Sequence, residues 1–321
     1  MRILFLGSGP FGIPTLRRLH SLREDLIVAT VPDAPSGRGQ TPRSSFIKQE
    51  AVSLRLEVLE TERLRGQQGQ QILEHAGADL VITADIRLIL GARFLQGPER
   101  GCYNLHASLL PRWRGAAPVV RALLAGDDQL GVTLYRMVPQ LDAGPVVAME
   151  KWTPPSTVTS EQAEEYLSLL AADLLERMLE SLESGDPPQI PQQAEQVTLA
   201  PRLEKSEGWA RWESSAVFVD RQVRALHPWP RTRTRVTRGG ADQTADEELI
   251  LHRVSLVDRS EQVAAGTVLE VTTDQIIVAC GEGAIAIHKM QRNGKKPLEM
   301  ADLLRGMPFE VGDQFHGREG V

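Results

Sequence analysis

The chain has two cysteines in 321 residues, Cys102 and Cys280, far apart and without metal-ligand spacing. That excludes a disulfide framework and a thiolate metal centre, and it suits a reduced, cytoplasmic compartment. The seven histidines show no ligand spacing either, so no metal is expected. No apolar run approaches the length of a membrane span, and no membrane partner is expected. The N-terminal stretch Met1-Arg2-Ile3-Leu4-Phe5-Leu6-Gly7 is too short for a secretory signal and reads as a first strand. Internal repeats and low-complexity tracts are also lacking. Basic charge is not in excess: the net charge is −6. This argues against a general nucleic-acid binder, though not against one that meets phosphates through a local basic patch.

What is present is an ordinary globular composition, 41% hydrophobic and 24% charged, in a chain long enough for two cores. The first half alternates. Ile3–Leu6, Leu26–Val31, Leu56–Leu59, Leu80–Ala84 and Cys102–Leu105 read as strands, and 14–22, 45–53 and 67–75 as helices. That β-α-β pattern predicts an α/β, Rossmann-like, mostly parallel sheet. Two more extended runs, 131–137 and 145–150, precede a helix over 160–184. The Pro- and Gln-rich stretch beginning Gly185-Asp186-Pro187-Pro188 then breaks the pattern and predicts a linker. Beyond a helix at 216–226, short strands with turn signals predict a small C-terminal OB-like β-barrel. The expected division is 1–184, a linker at 185–203, and 204–321.

Gly7, Gly9 and Gly12 fit G-x-G-x-x-G between a strand and a helix, with Asp33 about twenty residues on, as in dinucleotide-binding turns. Asp33, however, lies in the loop Val31-Pro32-Asp33-Ala34-Pro35 rather than at a strand end. The same glycines also suit any tight strand-to-helix turn that presents backbone N–H groups. An NAD(P)-binding enzyme is therefore one reading to set beside the next.

Asn104 and His106 stand two apart on a strand, so their side chains share a face. At the carboxyl edge of a parallel sheet they reach the ligand crevice, and the loop carrying Asp142 can return over it. Asn104 offers an N–H donor that strengthens as a carbonyl oxygen becomes an oxyanion. His106 can donate to the same oxygen or exchange a proton with a leaving nitrogen near neutral pH. Asp142 can hold His106 in one tautomer, or take the proton of a nucleophile directly or through water. No serine or cysteine is placed as a covalent nucleophile. Ser108 heads a Leu-Leu-Pro turn, and Cys102 reads as core. Direct attack by an amine on a bound acyl donor is the chemistry these groups predict.

The run Asn104-Leu105-His106-Ala107-Ser108-Leu109-Leu110-Pro111-Arg112-Trp113-Arg114-Gly115 resembles the signature of the 10-formyltetrahydrofolate-dependent formyltransferases. Gly131-Val132-Thr133-Leu134 and Leu141-Asp142-Ala143-Gly144-Pro145 resemble its downstream part. The likeness covers nearly the whole chain. Asp85-Ile86-Arg87 departs from it, standing where the family usually carries Ala-Tyr-Gly.

The resemblance implies that the formyl group of 10-formyltetrahydrofolate passes to the α-amino group of methionine on initiator tRNA, through a tetrahedral intermediate. It gives Asn104, His106 and Asp142 the catalytic roles and gives the turn Ser108, Leu109, Leu110 and Pro111 the folate contacts. A basic loop with Arg38, followed by Arg43 and Lys48, would approach the tRNA. The C-terminal barrel would be a tRNA-binding domain, and the arginines at 231, 233, 235 and 238 with Lys295 and Lys296 would contact phosphates or form a solvated strand face. Folate is then a co-substrate, and a monomer is expected. The alternative within the group is a formyltransferase acting on a sugar amine or another small amine.

Overall fold

The computed structural model describes residues 1–36, 41–237, 247–259 and 261–317. Residues contact one another in two compact units. The first comprises Met1–Val119, Asp128–Pro154 and Gln162–Pro201; the second comprises Val120–Asp127, Pro155–Glu161 and Arg202–Val321.

The first unit is built on strands β1 (Ile3–Gly7), β2 (Leu26–Thr30), β3 (Glu57–Glu60), β4 (Leu80–Ala84), β5 (Gly101–His106), β6 (Leu130–Arg136) and β7 (Val146–Trp152). They form a seven-stranded sheet in the order β7-β6-β5-β4-β1-β2-β3. The five strands from β5 to β3 run parallel, while β6 is antiparallel to β5 and β7 to β6. Strands β1, β2 and β4 are near-continuous apolar runs and are buried at every position. Such a strand is covered on both faces, as a parallel sheet requires. Helices α1 (Ile13–Leu22), α2 (Phe46–Ser53), α3 (Gly66–Ala76) and α4 (Ser160–Ser184) accompany it. Ser45 caps α2 by accepting the Lys48 N–H at 3.0 Å. From β1 the chain builds outward to β2 and β3 on one side and to β4 and β5 on the other. The switch in direction opens a crevice at the carboxyl ends of these strands.

The stretch expected as a linker lies along this unit as far as Pro201. Ile190 exchanges two backbone hydrogen bonds of 2.8 Å with Val146, and Leu199–Ala200 pairs in parallel with Arg114–Gly115.

The second unit is an antiparallel barrel of β8 (Thr232–Thr237), β9 (Glu247–Val257), β10 (Val268–Val271), β11 (Ile276–Ala279), β12 (Ala284–Arg292), β13 (Pro297–Glu299) and β14 (Gln314–His316). Its order is β10-β11-β12-β9-β8-β14, with β13 on β12. The Val268 N–H reaches the Asp313 carbonyl and the Phe315 N–H the Gly266 carbonyl, each at 2.8 Å, which brings β10 back to β14 and nearly closes the ring. Trp212, fully buried, anchors the interior and gives its indole N–H to the Thr234 hydroxyl at 3.0 Å. Helix α5 (Ala216–Ala225) adds Val219 and Val223 to that core.

Candidate active site

Strand β5 is buried along its whole length and sits between β4 and β6. Its register places Thr83 beside Asn104 on one side and Tyr135 beside Asn104 on the other. Asn104 and His106 are each only 7% exposed. Cys102, on the same alternation, is core: burial pushes its thiol up to about 12, against a smaller opposing effect of Arg136. A thiol held that high is no nucleophile.

Around Asn104 runs a directed chain of hydrogen bonds. The Thr83 hydroxyl donates to Asn104 Oδ1 at 2.5 Å. Asn104 Nδ2 donates to the Tyr135 hydroxyl at 3.3 Å, and that hydroxyl donates to Asp142 Oδ1 at 2.7 Å. The second carboxylate oxygen, Oδ2, accepts the Gly115 N–H at 2.7 Å. It also lies 3.9 Å from His106 Nδ1. The three residues expected to converge therefore do so, on one crevice of the first unit.

The His106 tautomer is set differently from the expectation. Nε2 lies 2.9 Å from the Trp113 carbonyl oxygen, which only accepts, so Nε2 carries the hydrogen. In the neutral ring the lone pair is then on Nδ1, facing the Asp142 carboxylate. At 3.9 Å these two atoms make no hydrogen bond with each other. They are two acceptors flanking a gap that a single N–H₂ or water can bridge.

Asp142 stands at φ +47, a left-handed conformation that aspartate tolerates better than most residues. Its loop is clamped by Gln192, whose Nε2 donates to the carbonyls of Asp142 (2.8 Å) and Gly144 (2.7 Å). The Gln192 Oε1 in turn accepts from Arg114 Nε at 3.0 Å and from its terminal nitrogen at 2.7 Å. Gly144 closes the loop against β6: a Cβ there would stand 1.7 Å from the Arg136 carbonyl oxygen.

The turn after β5 is held internally. The Ser108 hydroxyl donates to the Arg112 carbonyl at 2.7 Å, and the Thr133 hydroxyl donates to the Ser108 carbonyl while accepting the Leu110 N–H. Ser108 and Leu110 are buried, and Leu109 and Pro111 are half-buried. Leu110 packs with Tyr135 and Val146. The turn is thus fixed by these hydrogen bonds directly after the strand that carries Asn104 and His106.

Of the residues expected to face tRNA, Arg38 lies outside the described residues. Arg43 is exposed, with its guanidinium 5.5 Å from the centre of the Phe46 ring. The Lys48 ammonium is already shared between Asp33 and Glu60, each at 2.8 Å, and those hydrogen bonds raise its pKa. The same contact lowers the pKa of Asp33 and engages the acid that a ribose would need. The glycine turn is likewise occupied by protein. The N–H groups of Ser8 and Gly9 donate to the Asp85 carbonyl, and a Cβ at Gly9 would fall 1.6 Å from the Asp85 carboxylate.

Sequence reasoning missed Tyr135, Thr83, Gln192 and the Trp113 carbonyl. Tyr135 follows the recognised Gly131–Leu134 run directly, but only the β5–β6 register shows that it faces Asn104. Among the described residues no group of three or more His, Cys, Asp or Glu side chains could hold a metal ion, and no helix is long and apolar enough to cross a membrane.

The formyl transferase family matches residues 1–178, and the formyl transferase C-terminal domain matches residues 202–308. A methionyl-tRNA formyltransferase of Cereibacter sphaeroides is 38% identical over 97% of this chain and 98% of its own length. Two solved structures share the fold at low identity. The sugar 3N-formyl transferase WlaRD, solved with dTDP and 5-N-formyl-THF, has a TM-score of 0.63 at 13% identity, over 92% of this chain and 99% of that one. HypX from Aquifex aeolicus, in complex with tetrahydrofolic acid, has a TM-score of 0.63 at 18% identity, over 99% of this chain and 51% of that one. Full-length similarity at this level, together with the two domain matches, shows that the chain belongs to the methionyl-tRNA formyltransferase family of formyl transferases, a family of enzymes.

Proposed function

We propose that this chain transfers the formyl group of 10-formyltetrahydrofolate to the α-amino group of methionine on initiator tRNA, in the cytoplasm, by direct attack of the amine. The observation that carries the reading is the convergence of Asn104, His106 and Asp142 with no activated Ser or Cys among them. That donor set fits an N-formyl group: a neutral amide for the oxygen, a ring nitrogen and a carboxylate for protons. Bound 10-formyltetrahydrofolate would supply the one-carbon unit as an amide whose nitrogen is the leaving group.

Asn104 spends one N–H on Tyr135 and has a second to give the formyl oxygen, a bond that strengthens as charge builds there. Since Nε2 is committed to Trp113, His106 works through Nδ1. The gap between Nδ1 and Asp142 Oδ2 receives the attacking amine, whose proton passes to this pair and from it to the departing nitrogen. Residues 1–184 would form the catalytic domain, with the Ser108–Pro111 turn along the folate, and residues 204–321 the tRNA-binding domain. On that second domain a concavity of about 480 Å³ is lined by Trp229, 52% exposed, with Lys205, Arg231 and Arg233, the last paired with Glu248 at 3.6 Å. An exposed indole beside Lys205 and Arg231 is a surface on which an unpaired base and its phosphate can rest.

The test offers 10-formyltetrahydrofolate with methionyl initiator tRNA or with amino-sugar nucleotides. Formyl transfer to the tRNA alone is expected. Transfer to the sugar amine alone would move the chain to the other reading, and transfer to neither would remove both.

Gly144→Ala should separate the loop from the rest of the site. The new methyl has no room beside the Arg136 carbonyl, so the Asp142 loop must shift. An overpacking cost of about 1–3 kcal/mol is expected in denaturant unfolding. A carboxylate displaced by about 1 Å should lower kcat roughly a hundredfold. Parent-like kcat would show that the Asp142 position is not critical.

A further inference from the structure

We infer that Tyr135 is a positioning residue of this site: its hydroxyl, taking a hydrogen from Asn104 and giving its own to Asp142, lets the carboxylate dictate which way the Asn104 amide faces. The inference rests on the catalytic reading of Asn104, His106 and Asp142 given above.

An ionised Asp142 only accepts, so the one hydrogen of Tyr135 must point at it, as the 2.7 Å contact shows. The Tyr135 oxygen can then only accept from Asn104, which must turn its NH₂ that way. Asn104 Oδ1 is left to the Thr83 hydroxyl, a donor on the opposite side. Each choice forces the next, and the order ends with the remaining Asn104 N–H in one fixed place. Without the hydroxyl the amide has Thr83 alone, which can donate or accept and therefore tolerates either orientation. Burial, reinforced by the Asp142 charge, raises the Tyr135 pKa well above the usual phenol value. The phenol thus keeps its hydrogen where enzymes work, and it sets direction rather than serving as a base. The ring also packs with Leu110 and Val146, contacts that phenylalanine retains.

Tyr135→Phe should lower kcat by roughly 10- to 100-fold, less than the loss of an oxyanion donor itself, with KM for 10-formyltetrahydrofolate within about threefold of the parent. Because a carboxylate deprived of a donor binds a proton more readily, the acidic limb of the kcat–pH profile should move to higher pH. Thr83→Val, which touches the same amide from the other side, should lower kcat in the same sense. The double variant should lose less than the product of the two, since both act on one group. Parent-like kcat and an unmoved acidic limb in Tyr135→Phe overturn the inference. So does a kcat loss matched by a rise in KM with an unmoved limb, which marks a packing role. If Asn104→Ala and His106→Ala also keep parent turnover, it is the catalytic reading itself that falls.

Discussion

Replacement of His106 by alanine is expected to lower kcat/KM for formyl transfer by about a thousandfold, the scale of a lost general acid–base group. The side chain does two jobs that can be separated. Nε2 satisfies the Trp113 carbonyl, and Nδ1 faces Asp142 as the proton port. Alanine removes both, and loss of the hydrogen bond to the Trp113 carbonyl costs about 0.5–1.5 kcal/mol of stability. His106→Gln restores a donor for Trp113 but offers no group that gains and loses a proton near neutrality. It should recover most of the stability and little of the activity. Single-turnover rates beside denaturant unfolding read the two effects apart. Activity that recovered along with stability in the glutamine variant would make His106 a support for the Trp113 turn and not a proton carrier.

The sequence discloses the parts of this site whose placement depends on local periodicity. A pair at i and i+2 on a strand must share a face, and Asn104 and His106 do. Strand 80–84 and helix 160–184 are legible to the residue, because an unbroken apolar run or a long amphipathic one leaves little choice of boundary. What stays hidden depends on register or on return of the chain. Thr83 and Tyr135 meet Asn104 only through pairing across two strand boundaries, which no single strand announces. Gln192 reaches the Asp142 loop from a Pro- and Gln-rich stretch that reads as a linker because it lacks an apolar period. The strand at 232–237 shows the opposite difficulty. Its arginines suggest a solvated face, yet Thr232, Thr234 and Val236 between them are wholly buried, and threonine at alternate positions carries no apolar signal. Lys48 looks like a phosphate contact by charge, but the carboxylates that hold it come from a different loop and a different strand.

Asp142→Asn is expected to reduce kcat by about a thousandfold despite leaving the shape of the side chain intact, a loss of the order reached when acid–base and oxyanion groups fail. Two donors converge on this carboxylate, the Gly115 N–H on Oδ2 and the Tyr135 hydroxyl on Oδ1. An amide can meet only one of them as an acceptor. With its oxygen toward Gly115, its NH₂ faces Tyr135, which must turn its hydrogen back to Asn104. Asn104 must then flip, carrying its NH₂ to the Thr83 side and away from the formyl oxygen. With its oxygen toward Tyr135, its NH₂ meets the Gly115 N–H donor to donor and fills the Nδ1 gap where the amine should enter. Either arrangement also removes the charge that accepts the proton of the nucleophile. The consequence peculiar to this arrangement appears in a second background. Tyr135→Phe already cuts the connection to Asn104, so Asp142→Asn added to it should cost clearly less than in the parent chain. Equal factors in both backgrounds would mean that Asp142 acts on its proton alone and that the orientation of Asn104 is set elsewhere.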